Sequence, residues 1–341
     1  MGGRYFVSCF GLIAALIALA AMPPQARSDD FYKDKTLTIV VGFPPGGGFD
    51  TNARLLSRYI GRHIPGNPNV IVVNSPGAAS TLAVARLDVN MPTDGTVIAE
   101  FNFGQLGDSL LRPDVTKIDF RHYQWLGSIA EDVTTCYVWR EDGPKTIAEM
   151  RGHHYIFGDA GPGASEDINT KILQRVLGLD ITEASGYSGS AEVRLAIQRG
   201  EVDGECGTWS SLPPDFLASP KLHPLMRTAK TVPDGMSPDV PYLLDLVPDD
   251  TARKIVAFLI ADGALGRPFI VSHAVPAERV AILRAAFTAT VNDPDFIAEA
   301  KSLRLPVAPR TGEEAAKIVD QLYATPPDII AAAQKVAIAA H

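Results

Sequence analysis

Two distant stretches of this chain repeat one plan, and that repeat restricts the folds open to it. The first is Ile39-Val40-Val41-Gly42-Phe43-Pro44-Pro45-Gly46-Gly47-Gly48-Phe49-Asp50, continued by Thr51-Asn52-Ala53-Arg54-Leu55-Leu56. The second is Tyr155-Ile156-Phe157-Gly158-Asp159-Ala160-Gly161-Pro162-Gly163-Ala164-Ser165-Glu166-Asp167, continued by Ile168-Asn169-Thr170-Lys171-Ile172-Leu173. With Asp50 set on Asp167, Asn52 meets Asn169, Arg54 meets Lys171, Arg58 meets Arg175 and Gly61 meets Gly178. Each copy predicts an apolar strand, a Gly/Pro loop and a helix. Asp50 and Asp167 are expected as N-caps, because a carboxylate can accept the orphan amides of a first turn. Gly61 and Gly178 suit left-handed C-caps. The loops carry little side chain. What they offer is backbone N–H beside the positive end of a helix dipole, which suits an anion. Two such sites in one chain predict two lobes gripping one small anion.

The first 28 residues are set apart from the rest. Arg4 is followed by the uncharged apolar run Phe6–Ala21, then Ala26-Arg27-Ser28 before Asp29. This is the pattern of a secretory signal peptide, and the run is short for a membrane span. A retained anchor is the alternative. Cys9 lies inside the apolar run, which is not where a lipidated cysteine sits. Removing residues 1–28 takes two arginines and no acid, leaving 29 Lys+Arg against 39 Asp+Glu, a net charge of −10. That balance argues against nucleic acid as a partner. Export permits a disulfide, and the two remaining cysteines, Cys136 and Cys206, each fall in a strand-like segment. They are expected to pair; two buried thiols are the alternative.

Apolar runs at 37–43, 70–73 and 97–101, separated by helical patterns, predict β-α-β-α-β and a parallel sheet. Val70–Val73 reads as a buried strand. Trp125-Leu126-Gly127-Ser128 reads as a crossing into a second lobe, and Leu222–Arg227 as a strand returning to the first. The expected division is lobe 1 at 29–127 and 228–341, and lobe 2 at 128–227. Ligands of open α/β sheets sit at the carboxyl ends of strands. The loops at 43–50, 74–80, 102–105, 159–167, 185–190 and 206–211 occupy such ends, and Asn102 and Tyr187 join the candidates there.

Segments spread over most of the chain after the leader are similar to one family. Phe43-Pro44-Pro45-Gly46-Gly47-Gly48-Phe49-Asp50 resembles the PFPAGG…D loop of the solute-binding proteins of tripartite tricarboxylate transporters, the Bug or TctC family. Asn74-Ser75-Pro76-Gly77-Ala78 resembles its N-R-P-G-A segment. Pro92-Thr93-Asp94-Gly95-Thr96 resembles P-D-G-Y-T, and Gly186-Tyr187-Ser188-Gly189-Ser190-Ala191 resembles P-Y-K-G-S-A. Gly200-Glu201-Val202-Asp203 resembles G-Q-V-D, and Pro238-Asp239-Val240-Pro241 resembles L-P-D-V-P. The resemblance implies an α/β, two-lobed type II periplasmic-binding-protein fold with the ligand cleft between lobes. It implies a periplasmic, monomeric protein without a cofactor or metal. Such a protein would carry a small carboxylate to the membrane subunits of a transporter. By the family's motifs, Phe43, Pro45, Gly46, Gly47, Gly48 and Asp50 from one loop and Ala160, Gly163, Ala164 and Ser165 from the other would hold the carboxylate.

The chain departs from the family in two places that bear on its ligand. Ala164-Ser165-Glu166-Asp167 replaces Ser-Ser-Gln-His, which adds Glu166 to the candidates. Ser188 replaces the lysine of Y-K-G, and an acidic residue, Glu205, sits near a strand end. An acidic side chain near the site disfavours a second ligand carboxylate, so the expected ligand carries one carboxylate and a hydrogen-bond donor or amine. Enzyme signatures are missing: Gly46-Gly47-Gly48 lacks the Gly-Lys-Ser/Thr of a phosphate loop, and Gly186-Tyr187-Ser188-Gly189-Ser190 lacks the final Gly of a nucleophile elbow. The rival readings are an exported α/β hydrolase or transferase using Ser165 or Ser188, and an orphan sensor receptor.

Overall fold

The computed structural model describes residues 31–338. The leader expected at 1–28 lies outside the described residues. Eleven strands form two sheets. The first contains β1 (Thr36–Val41), β2 (Asn69–Asn74), β3 (Val97–Glu100), β4 (Gln124–Ser128), β10 (Pro268–Val271) and β11 (Arg310–Thr311), in the order β11-β4-β10-β3-β1-β2. The second contains β5 (Thr134–Trp139), β6 (Tyr155–Asp159), β7 (Ile181–Ser185), β8 (Gly204–Thr208) and β9 (Leu222–Arg227), in the order β7-β6-β8-β5-β9. β1 pairs in parallel with β2 and β3, as the crossover pattern requires. β10 runs antiparallel between β3 and β4.

Three expectations need correcting. Trp125–Ser128 is not a crossing but most of β4, a strand whose buried Trp125 and Leu126 fill the first sheet. Leu222–Arg227 does not return to the first sheet; it pairs antiparallel with β5 at the edge of the second. β2 is an edge strand with alternating exposure rather than a fully buried one. The segment before β1 is anchored to the first half: Tyr32 is fully buried and its hydroxyl donates to the Gly95 carbonyl at 3.1 Å.

Cys136 and Cys206 face each other on the antiparallel strands β5 and β8 and form a disulfide. Both side chains are fully buried. The apolar core is continuous between the sheets: one cluster joins Ala99, Phe101 and Trp125 of the first half to Cys136, Phe157 and Ile172 of the second. The C-terminal helix Pro327–Ala337 contributes Ala333 and Ala337 to that cluster and packs on the Ser165–Arg175 helix, where Arg175 donates to the Val336 carbonyl. No helix of the described residues is long and apolar enough to cross a membrane.

Candidate functional site

The sequence repeat is a structural repeat, down to individual hydrogen bonds. The helices begin at Gly48 and Ser165, with Gly47 and Ala164 as N-caps. Asp50 and Asp167 therefore sit at the third helical position, not at the cap. From there each reaches back to the loop: Gly46 N–H donates to Asp50 Oδ2 at 3.0 Å, and Gly163 N–H to Asp167 Oδ2 at 2.9 Å. The geometry is a relative of the capping box, with the acid one residue further from its donor. Gly46 and Gly163 adopt φ of +93° and +83°, the left-handed region that glycine enters at least cost. Arg54 and Lys171, four residues on, pair with the two aspartates. Asn52 and Asn169 donate to the Gly48 and Ser165 carbonyls at 2.8 and 2.7 Å. At the far ends the copies diverge. Gly178 is left-handed at φ +69°, but Gly61 lies in a 3₁₀ turn, where its missing Cβ admits the Pro68 carbonyl.

Asp50 locks the first loop. Burial raises its pKa, but hydrogen bonds from Arg54, the Gly46 amide and Asn74 outweigh that and hold the carboxyl below its usual range. Asn74 also donates to the Phe43 carbonyl at 2.8 Å, tying the end of β2 to the loop. With the loop fixed, the amides of Gly47, Gly48 and Phe49 are left with no acceptor among the described residues, as expected of a first helical turn.

These three residues line a cavity of about 240 Å³. Its other wall comes from the second half: Glu166, the 188–192 segment and Leu195. The Phe43 and Phe49 rings stack at 5.0 Å, and with Pro44, Pro45, Ala191 and Leu195 they make much of the wall apolar. This cavity is smaller than pockets for drug-sized ligands. No lysine, arginine or histidine lines it; its ionisable groups are Glu166 and Glu192. The nearby cation Arg267 stacks on the Phe49 ring at 4.6 Å and is held by Asp132 at 2.9 Å.

The second loop is placed differently from the first. Gly104, at the start of the Gly104–Leu111 helix, fits against it so closely that a Cβ there would lie 2.8 Å from Ser165 N and 3.0 Å from the Gly163 carbonyl. Gln105 Nε2 donates to that carbonyl at 3.1 Å. The residue of this loop and helix start that borders the cavity is Glu166. Its Oε2 accepts from Ser165 Oγ at 3.2 Å and lies 3.4 Å from Asn102 Nδ2. Burial, with a smaller contribution from the Glu205 and Asp132 charges, pushes the Glu166 pKa up to about 7. Asn102 is itself fixed by its Oδ1, which accepts the Gly104 amide at 2.8 Å, and by its own amide, which donates to Ser80 Oγ at 2.8 Å. Ser80 ends a run of three left-handed residues, Ala78 to Ser80, a strain the surrounding packing must hold.

Of the residues expected from sequence, Phe43, Pro45, Gly47, Gly48 and Glu166 line the cavity. Gly46 and Asp50 support the loop from behind. Ala160, Gly163, Ala164 and Ser165 form the buried second loop, with Ala160 packed on the cluster that contains Phe43, Phe49 and Phe103. Asn102 touches Glu166 rather than the cavity, and Tyr187 packs with Val193 in a third cluster. The loop expected at 185–190 does reach the cavity through Ser190, but sequence reasoning left out Glu192 and Leu195, which lie on the Ser190–Arg199 helix and border it. It also left out Glu100, a fully buried acid on β3 with no partner for either oxygen, whose pKa burial raises far above normal. Asp159, Asp167 and Glu183 bring carboxylate oxygens within 4.8 Å of one another, but Lys171 already supplies the cation of that group.

Comparison with known proteins agrees with this architecture. No protein-family model matches the chain. The periplasmic binding protein BugD covers 89% of the chain and 98% of its own length at 20% identity, with a TM-score of 0.67. The fold is that of the Bug-type periplasmic solute-binding proteins. A TctC solute-binding protein from Polaromonas superposes over the same 89% at 20% identity, covering 98% of itself, with a TM-score of 0.60. MatC from Rhodopseudomonas palustris, solved with bound malate, is 22% identical with a TM-score of 0.67, covering 89% of this chain and 99% of its own. By sequence, a UPF0065 protein of Agrobacterium vitis, from the TAR-I ttuE-ttuC′ intergenic region, is 28% identical over 235 residues. The match takes in 67% of this chain and 66% of that relative's length, just under two thirds.

Proposed function

We propose that this protein is an exported solute-binding protein that captures a small organic carboxylate between two lobes and delivers it to the membrane subunits of a tripartite tricarboxylate-type transporter. The observation that carries the reading is the row of unpartnered amides at Gly47, Gly48 and Phe49, set at a helix N-terminus in the wall of a cavity between the two halves. A carboxylate completes their hydrogen bonds, at about 1.5–3 kcal/mol each for charged partners. Three such bonds, less the cost of ordering, suit micromolar binding. The malate of MatC supports the ligand class.

On this reading Phe43, Pro45, Gly47 and Gly48 of one lobe and Glu166 of the other meet the ligand. Gly46, Asp50 and Asn102 on one side, and Ala160, Gly163, Ala164, Ser165 and Tyr187 on the other, support them from behind. The lobes divide at 29–127 with 228–341, against 128–227. Membership of the two sheets supports that division, since every strand from β5 to β9 lies in the second sheet. The leader at 1–28 would direct export to the periplasm. Calorimetric titration of the mature chain against a panel of small carboxylates, with product analysis of each mixture, tests the reading. Saturable binding without turnover is expected. Turnover of an ester or amide, abolished by replacing Ser165 or Ser188, would replace it with the hydrolase reading.

A further inference from the structure

The two ends of the cavity are chemically unlike. At one end the first loop offers backbone N–H groups at a helix N-terminus. At the matching place in the second half, the residue that borders the cavity is Glu166, an acid, and three amides of the loop before it are already taken. Gly163 N–H is taken by Asp167, Gly161 N–H by Asp159, and Ala164 N–H by the Gly161 carbonyl. Ser165 N–H has no acceptor among the described residues, but Gly104 packs over it. The other acid of the wall, Glu192, accepts from the Ser188 amide at 2.7 Å and from the Ser188 hydroxyl, bonds that keep it in its charged form. The cavity thus has amide donors in the wall from the first half, the acids Glu166 and Glu192 in the wall from the second, and no cation among its lining residues.

Resting on the carboxylate reading above, we propose that the site selects acids that carry one carboxylate and, at their far end, a hydrogen-bond donor, above all an ammonium group, with Glu166 as the residue that receives it. A second carboxylate at that end would face Glu166 across a buried wall, with Glu205 and Asp132 behind it, a repulsion that low polarity strengthens. An ammonium group there gains a charge-assisted bond and neutralises a buried acid. An alkyl end gains neither. The selection is therefore by the mismatch of wrong ligands as much as by contact with the right one.

The test uses three series of straight-chain C3–C7 acids, matched in length: ω-amino acids, monocarboxylic acids and dicarboxylic acids. Binding to the mature chain is measured by calorimetry. Within at least one length, the amino acid is expected to bind tenfold or more tighter than both its partners. In Glu166→Gln the preference is expected to invert, the amino acid losing tenfold or more and the dicarboxylate gaining. The titrations are run at pH 8.5, where Glu166 is charged; glutamine keeps the shape and removes that charge, so the variant should fold, and the wild-type ranking is decisive even if it does not. Dicarboxylates binding as tightly as the amino acids, with Glu166→Gln leaving their ranking unchanged, would overturn the proposal while leaving the carboxylate reading intact. Failure of every acid to bind would sink the carboxylate reading, and this proposal with it.

Discussion

Adding one methyl group at Gly104 tests whether the two halves must come together to hold a ligand. Gly104 is the first residue of the Gly104–Leu111 helix, and its φ is not among the left-handed ones, so alanine fits the backbone. On helix propensity alone, alanine would be favoured by up to about 1 kcal/mol. Against that, the new Cβ would lie 2.8 Å from Ser165 N, 3.0 Å from the Gly163 carbonyl and 2.9 Å from Asn102 Oδ1. The asparagine side chain can swing away, but the other two atoms are backbone of the opposite half. Relief therefore requires the second loop to retreat by a few tenths of an ångström. Overpacking of this kind costs about 1–3 kcal/mol, and it falls on the closed form alone, whereas the propensity gain is common to both forms and cancels in binding. At about 1.4 kcal/mol per decade, affinity in Gly104→Ala should fall about 5- to 150-fold. Calorimetry with the tightest-binding acid reads the affinity, and thermal unfolding without ligand reads the fold. The unliganded melting temperature should hold or rise slightly, because parted halves escape the contact. Unchanged affinity would refute the reasoning. A loss of unliganded stability equal to the loss of binding would show the contact to be permanent, and closure would not be the clamp.

The remaining predictions concern stability. Replacing both Cys136 and Cys206 by alanine opens a loop of 70 residues, and the chain-entropy relation puts the loss at roughly 4 kcal/mol, readable by urea unfolding; a loss under about 1 kcal/mol would contradict it. Burial raises the carboxyls of Asp159 to about 6, Glu166 and Glu183 to about 7, and Asp262 to about 8. Each is raised above its unfolded value, so its favourable contribution is complete at low pH and is lost as pH climbs through the folded value. For Glu166, fully buried, the gap from 4.5 to about 7 is on the order of 3 kcal/mol. The melting temperature should thus be several degrees higher at pH 5.5 than at pH 8.5, and a flat or rising profile toward pH 8.5 would count against these assignments. Asp50→Ala removes the acceptor of Gly46 N–H, Arg54 and Asn74. It should cost about 2–4 kcal/mol in stability and loosen the loop, weakening acid binding tenfold or more; an intact affinity would mean that the loop holds its shape unaided.

Much of this molecule could be read from the order of its residues. Short apolar runs between Gly/Pro loops announced β1, β3 and β6, and the offset between Asp50 and Asp167 located two equivalent helix starts. What the pattern could not settle was partnership. Leu222–Arg227 is a strand by composition, but nothing in it says which sheet receives it, and its place beside β5 is decided by packing. Ile181–Ser185 escaped notice because β7 is an edge strand with few apolar residues. The Gly104–Leu111 helix carries two glycines, which mask its apolar face. The caps were misplaced by three residues because buried aspartate at the third helical position serves the same loop amides as a cap would. Glu192 and Leu195 reach the cavity only because the second half folds over the first loop, a long-range fact with no local signal.

The most direct trial of this account is a crystal structure with the tightest-binding acid from the three series. The account predicts a carboxylate within hydrogen-bond distance of the Gly47, Gly48 and Phe49 amides, and the far end of the molecule against Glu166. A ligand seated elsewhere, or one in the cavity whose carboxylate ignores those amides, would contradict it.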